Sequence, residues 1–185
     1  GGPATAFDFD GDGLLDLYIG YFGNYLEGAF PAQERDNHSA LPNKLFRNVG
    51  SMVFEDVTEA SGTGDRGWTQ AVSHVDLDAD GHQDLVVAND YGRNAFFRNT
   101  GEGEFLDMSS ELGRGEALHS MNVGVTDINL DGFPDIYISN IATLVKDNKY
   151  TFPDVNTPLD FDLRAMSGMI IKEADTFLVS ATAAG

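Results

Sequence analysis

Short runs of β-branched and aromatic residues, set between polar and glycine-bearing stretches, recur along most of the chain. Ala4-Thr5-Ala6-Phe7 and Leu17-Tyr18-Ile19 open the series, and the stretches around Phe46 and Phe54 continue it. Ala71 to Val75, Leu85 to Val87 and the stretches around Phe97 and Phe105 repeat the order. Val123-Gly124-Val125-Thr126 and Ile136-Tyr137-Ile138 begin it a third time. Runs this short and of this composition read as strands. The pattern predicts an all-β chain, four strands to a unit of about fifty residues, each unit with a core of alternating apolar residues.

Between the first two strands of each unit the chain spells one phrase, Asp-x-Asp/Asn-x-Asp-Gly-x-x-Asp. The copies are Asp8, Asp10, Asp12, Gly13, Asp16; Asp76, Asp78, Asp80, Gly81, Asp84; and Asp127, Asn129, Asp131, Gly132, Asp135. Carboxylates this crowded repel unless a cation sits among them. Oxygen donors at alternate positions, with Gly sixth for a sharp turn, suit a hard cation, and Ca²⁺ best. An EF-hand needs Glu at the twelfth position and flanking helices. Here the twelfth residues are Ile19, Val87 and Ile138, and strands flank the loop. The closing acid is the ninth residue instead. Side chains at positions one, three, five and nine are expected to reach the ion, with the seventh residue (Leu14, His82 or Phe133) offering its carbonyl. Asp-Gly as a plain hairpin turn is the alternative; three copies at identical offsets argue against it. Asn129 keeps an oxygen but loses a charge, so the third site is expected to bind more weakly. Up to three structural Ca²⁺ are expected.

A second repeat keeps step with the first. Asn43-Lys44-Leu45-Phe46-Arg47-Asn48-Val49-Gly50 matches Asn94-Ala95-Phe96-Phe97-Arg98-Asn99-Thr100-Gly101 at a spacing of 51, which also separates Asp76 from Asp127. The Asn-x-Gly element predicts the turn between the two outer strands. Asp8 and Asp76 are 68 apart, so the first unit holds 17 extra residues, in the region of 22–41. Units of this size and content are the signature of β-propeller blades. The predicted blades span 1–66, 67–116 and 117–185, the last irregular from 141, where Pro153 and Pro158 interrupt it. Residues 174–179 read as a degenerate third strand, and 163–172 have spacing that also suits a short helix. Asp160-Phe161-Asp162 lacks the following Asp-Gly and is not a fourth loop. Three blades do not close a ring, so the chain is expected to be a piece of a longer propeller, or else to have its open ends covered by partner subunits.

Charge narrows the function. There are 11 Lys and Arg against 30 Asp and Glu, a net charge of −19. Three Ca²⁺ carry six positive charges and would leave −13. Nucleic acid and anionic membrane surfaces are poor partners for such a chain. With no cysteine, there is no disulfide framework or thiolate site. No apolar run is long enough for a spanning helix, so no direct membrane insertion is expected.

The acidic phrase, followed by Leu-Phe-Arg-Asn-x-Gly and Phe-x-Asp-Val-Thr, resembles the FG-GAP/VCBS repeat of integrin α-like propellers, over about residues 4–140. Within that family it is similar to bacterial ASPIC/UnbV-associated and cartilage acidic protein-like proteins. The resemblance implies a propeller of about seven blades with calcium on the loops of one rim, and no catalytic residues to carry over. It implies adhesion, recognition or scaffolding in an extracellular or periplasmic setting. A protein partner is expected, and carbohydrate is an alternative ligand. Tyr21, Phe22, Tyr25 and Phe30, aromatic residues of the inserted stretch, are the interaction candidates; packing over the propeller face is their alternative role. Asn37-His38-Ser39 has the form of a glycosylation sequon. A rival reading is an accessory subunit of a larger, membrane-associated complex. A lyase or hydrolase with a central-channel site is a further one. No His-x-x-x-His, His-Glu-x-x-His or Gly-x-Ser-x-Gly occurs, and Arg66, Trp68 and His119 are its only hints. The chain is expected not to be an enzyme.

Overall fold

A computed structural model describes residues 2–24, 37–112, 117–141, 144–146, 149–150, 170–171 and 176–179. β1 (Ala4–Phe7), β2 (Asp16–Ile19), β3 (Lys44–Asn48) and β4 (Phe54–Asp56) form one antiparallel sheet in sequence order. α1 (Thr58–Ser61) follows. β5 (Thr69–Val75) and β6 (Asp84–Asn89) lead into the short β7 (Gly92–Arg93), and β8 (Ala95–Asn99) and β9 (Phe105–Asp107) complete a second sheet, β5-β6-β8-β9. α2 (Ser109–Leu112) and β10 (Ala117–Leu118) come next, and β10 pairs with β7. β11 (Ser120–Thr126) and β12 (Asp135–Asn140) begin a third sheet. β13 (Leu144–Lys146), β14 (Lys149–Tyr150) and β15 (Ile170–Ile171) make a small separate one, and β16 (Thr176–Leu178) returns to pair with β12.

The all-β expectation therefore holds, and β16 is the third strand read at 174–179. The helix allowed over 163–172 is not what its end forms, because Ile170–Ile171 pairs with β13. Two adjacent β-branched residues favour extended backbone there. The remainder of that stretch, with Asp160-Phe161-Asp162, lies outside the described residues. The two short helices were not anticipated. They sit 51 apart, each after an outer strand, where Asp56 Oδ1 accepts from Thr58 N at 3.1 Å and Asp107 Oδ1 from Ser109 N at 2.9 Å.

The second sheet is packed on both faces. Strand alternation sends successive side chains to opposite sides. Leu85, Val87, Ala95 and Phe97 meet Phe7, Phe9, Tyr18 and Leu45 of the first sheet. Val86, Ala88 and Phe96 meet Ile136 and Ile138 of the third. This explains why Leu85-Val86-Val87-Ala88 is apolar without a break, since β6 is buried along its whole length.

Polar pins cross the same two seams. Asn43 Nδ2 donates to Thr69 Oγ1 at 2.8 Å, and Asn94 Nδ2 to Ser120 Oγ at 2.9 Å. Thr69 Oγ1 donates in turn to Asn89 Oδ1 and Ser120 Oγ to Asn140 Oδ1, at 2.9 and 2.7 Å. Each pin is fully or largely buried, where an unmade hydrogen bond costs about 1–3 kcal/mol.

His74 crosses the first seam by another route. Its ring stacks on Phe7, centroids 5.2 Å apart, and Nδ1 lies 2.6 Å from Thr5 Oγ1. Burial lowers its pKa below the ordinary 6.5. The unfolded chain thus binds the proton more readily, and this group's contribution is complete above pH 6.5 and declines as the pH falls through the lower folded value. Between pH 7 and 5.5 the urea midpoint should change less favourably for the unsubstituted chain than for His74→Phe, because the raised carboxylates Asp16 and Asp84 act in both chains in the opposite sense. Equal differences would show that the ring adds nothing to the pH dependence.

Candidate functional site

All three acidic phrases fold as the connection between the first two strands of a sheet: β1 to β2, β5 to β6 and β11 to β12. The sixth-position glycines adopt positive φ, +84° at Gly13, +92° at Gly81 and +91° at Gly132, with open space around each. The requirement there is conformational and not steric.

The first carboxylate of each loop organises the turn. Asp8 Oδ1 accepts from Gly11 N and Asp12 N, and Oδ2 from Gly13 N. Asp76 accepts from Asp80 N and Gly81 N, and Asp127 from Asp131 N and Gly132 N. The fifth carboxylate accepts from the seventh amide, in the pairs Asp12–Leu14, Asp80–His82 and Asp131–Phe133, at 2.8–2.9 Å.

The ninth carboxylate is buried in every copy: Asp16 and Asp84 are 0 % exposed and Asp135 1 %. It ties the loop shut by accepting from the second-position amide, Phe9, Leu77 or Ile128. In the first two sheets its other oxygen accepts from the outer hairpin, Asn48 N at 2.8 Å and Asn99 N at 2.7 Å. This is why the acidic phrase and Phe-Arg-Asn-x-Gly travel together. The Asn side chains then accept from Gly50 N and Gly101 N, forming the predicted turn. Asn99 Nδ2 also donates to Phe9 O at 2.8 Å, so the second sheet's hairpin holds the first sheet's loop.

Carboxylate oxygens of Asp8, Asp10 and Asp16 lie within 4.8 Å of one another, as do those of Asp76, Asp78 and Asp84. Oxygens on opposite sides of a Ca²⁺ are separated by about 4.6–5.2 Å, so the donor set and its spread fit that ion. Positions one, three and nine make this group; Asp12 and Asp80 of position five stand outside it. Burial raises the pKa of Asp84 to about 6, and the charges of Asp78 and Asp80 add to the rise against two amide hydrogen bonds. Burial likewise raises Asp16, with Asp10 and Asp12 contributing. Such a cluster gains from a cation. In the third loop Asn129 Nδ2 donates to Asp131 Oδ2 at 3.0 Å and Asn129 Oδ1 accepts from Asp131 N, also at 3.0 Å.

Of the other candidates, His82 packs its ring over the Gly101 turn. Phe22 sets its ring edge-on to Trp68 at 5.4 Å. Tyr21 N donates to Asn43 Oδ1 and Tyr21 O accepts from Thr69 N, which joins that residue's backbone to the first seam. Tyr25 and Phe30 lie outside the described residues. Asn37 of the sequon form is buried, with Oδ1 on Ser39 N. Trp68 meets Tyr91 at 5.8 Å, Tyr91 meets His119 at 5.3 Å, and His119 Nδ1 lies 3.0 Å from Asp90 Oδ1. An open cleft of about 640 Å³ lies between His38, Arg66 and Arg93, and of the three enzymatic hints only Arg66 lines it. Sequence reasoning missed the pins Thr69/Ser120 and Asn89/Asn140, although each pair is 51 apart. Among the described residues no helix is long and apolar enough to cross a membrane.

The FG-GAP-like repeat family matches residues 8–82 and 76–138. Cartilage acidic protein 1 of Xenopus tropicalis is 29% identical over 145 residues, and that of Homo sapiens 26% over 141. Each alignment covers 76% of this chain and 21% of the relative, so the chain spans about a fifth of the length of these curated proteins.

Proposed function

Because the chain belongs to the FG-GAP-like repeat family, we propose that it is a calcium-stabilised segment of a β-propeller, acting outside the cytoplasm as a recognition, adhesion or scaffolding module and not as an enzyme. The observation that carries this reading is the twofold clustering of three carboxylates, positions one, three and nine, on loops whose ninth acid fastens a hairpin. Asp8, Asp10 and Asp16 would hold one ion and Asp76, Asp78 and Asp84 another. Asp127, Asn129 and Asp135 would hold a third. The carbonyls of Leu14, His82 and Phe133 are further donors. The ion's chemistry here is charge neutralisation and cross-linking, with the blades at 1–66, 67–116 and 117–185. The family's frequent occurrence outside cells supports the location. Extracellular modules bind Ca²⁺ at about 10⁻⁴–10⁻³ M, a range suited to millimolar surroundings.

Chelation tests the reading. At 1 mM Ca²⁺ and Kd near 10⁻⁴ M, three sites contribute about 4 kcal/mol, which amounts to about 10 °C in Tm for a chain of this size. Calorimetry in EDTA should show that fall, and restored Ca²⁺ should reverse it where equal Mg²⁺ does not. An unchanged Tm rejects structural calcium.

A further inference from the structure

Each of the first two loops faces a guanidinium from its own sheet. Arg47 Nε lies 2.6 Å from Asp10 Oδ2 and Nη2 lies 3.6 Å from Asp12 Oδ2. Arg98 Nη1 lies 3.7 Å from Asp78 Oδ2. Strand register identifies the matching position in the third sheet. Leu17 pairs with Phe46, Leu85 with Phe97 and Ile136 with Leu178. The residues that follow these partners are Arg47, Arg98 and Val179. The loop whose matching position holds Val179 is also the loop with Asn129 in place of the third-position Asp. The first two loops each set four carboxylates against one guanidinium, and the third sets three carboxylates with Val179 at the matching position.

We infer that Arg47 and Arg98 are built-in competitors for the cation, holding the third-position carboxylate until Ca²⁺ displaces them and thereby setting the affinity of the first two loops. This rests on the calcium reading above. A guanidinium and a divalent ion on one carboxylate repel at a few ångströms. The arginines are suited to release: their side chains are 42 and 43% exposed. Both Nε atoms are buried and make no directed hydrogen bond, the short Arg47 contact included. Charge attraction holds them, and a side chain so held can swing to water.

Calorimetric Ca²⁺ titration of the full chain, with the other loops silenced by Asp76→Asn and Asp127→Asn, reads the first loop alone. Arg47→Gln should tighten binding about tenfold, while Arg47→Lys, which keeps the charge, should stay within about threefold of the parent. Binding by Arg47→Gln that is equal to or weaker than the parent's overturns the inference, since the arginine would then be supporting the loop. Arg98→Gln, with Asp8→Asn and Asp127→Asn, repeats the test in the second loop should Arg47→Gln not fold. The expected gain there is smaller because the pair is longer. No Ca²⁺ uptake by any variant overturns the calcium reading and this one together. Saturable uptake unaffected by either arginine substitution overturns this one alone.

Discussion

Asp84→Ala is expected to destabilise the chain by about 2–3 kcal/mol in chelator, and by more when Ca²⁺ is present. The carboxylate is fully buried and accepts from Leu77 N at 2.8 Å and Asn99 N at 2.7 Å. Alanine strands both amides, one in the loop and one in the outer hairpin. Asp84→Asn should fall between, since an amide group has one acceptor oxygen for two donors. Asp78→Asn, at a side chain 39% exposed, should change stability in EDTA by less than about 0.5 kcal/mol. Urea denaturation in EDTA separates the two roles of the ninth acid. If the Asp84→Ala loss vanishes there, the residue acts only through an ion and the tie has no independent worth.

Trp68→Ala is the second large effect, about 3–5 kcal/mol. The side chain is fully buried, lies edge-on to Phe22 and Tyr91, and donates from Nε1 to Ser39 Oγ at 3.1 Å. Its φ of +63° is left-handed, a conformation that strains a bulky residue by about 1–3 kcal/mol. Alanine inherits that strain and glycine does not. Trp68→Gly should therefore be more stable than Trp68→Ala by about 1 kcal/mol, the reverse of the usual order. Denaturation midpoints of the two variants decide it, and Trp68→Ala as the more stable would remove strain from the account.

The features legible in the sequence were those written in side chains at fixed offsets. Asp8, Asp76 and Asp127 marked the loops, Phe46 and Phe97 marked the third strands, and the degenerate run around Phe177 still specified a strand. What stayed hidden depends on the backbone or on isolated polar residues. The amides of Asn48 and Asn99 carry no letter, so the ninth acid read only as a ligand. Thr69 and Ser120 look like ordinary strand ends, and their role emerges only once Asn43 and Asn94 are seen against them. The position-five acids Asp12 and Asp80 read as ligands from spacing alone, and spacing does not show that they also accept from the seventh amide.

The two seams also differ in what they bury. One kind of pin is common to both, an asparagine amide on a hydroxyl. Their fillings are not shared. Phe7, Phe9, Tyr18, Phe97 and Phe105 crowd the first, whereas Val86, Ala88, Ile136 and Ile138 make most of the second. The first seam buries five rings, and the second buries that of Phe96 among aliphatic side chains, so the two interfaces differ in shape. The shared amide–hydroxyl pin joins neighbours in the same way, and the size of the buried side chains is what tells one seam from the other.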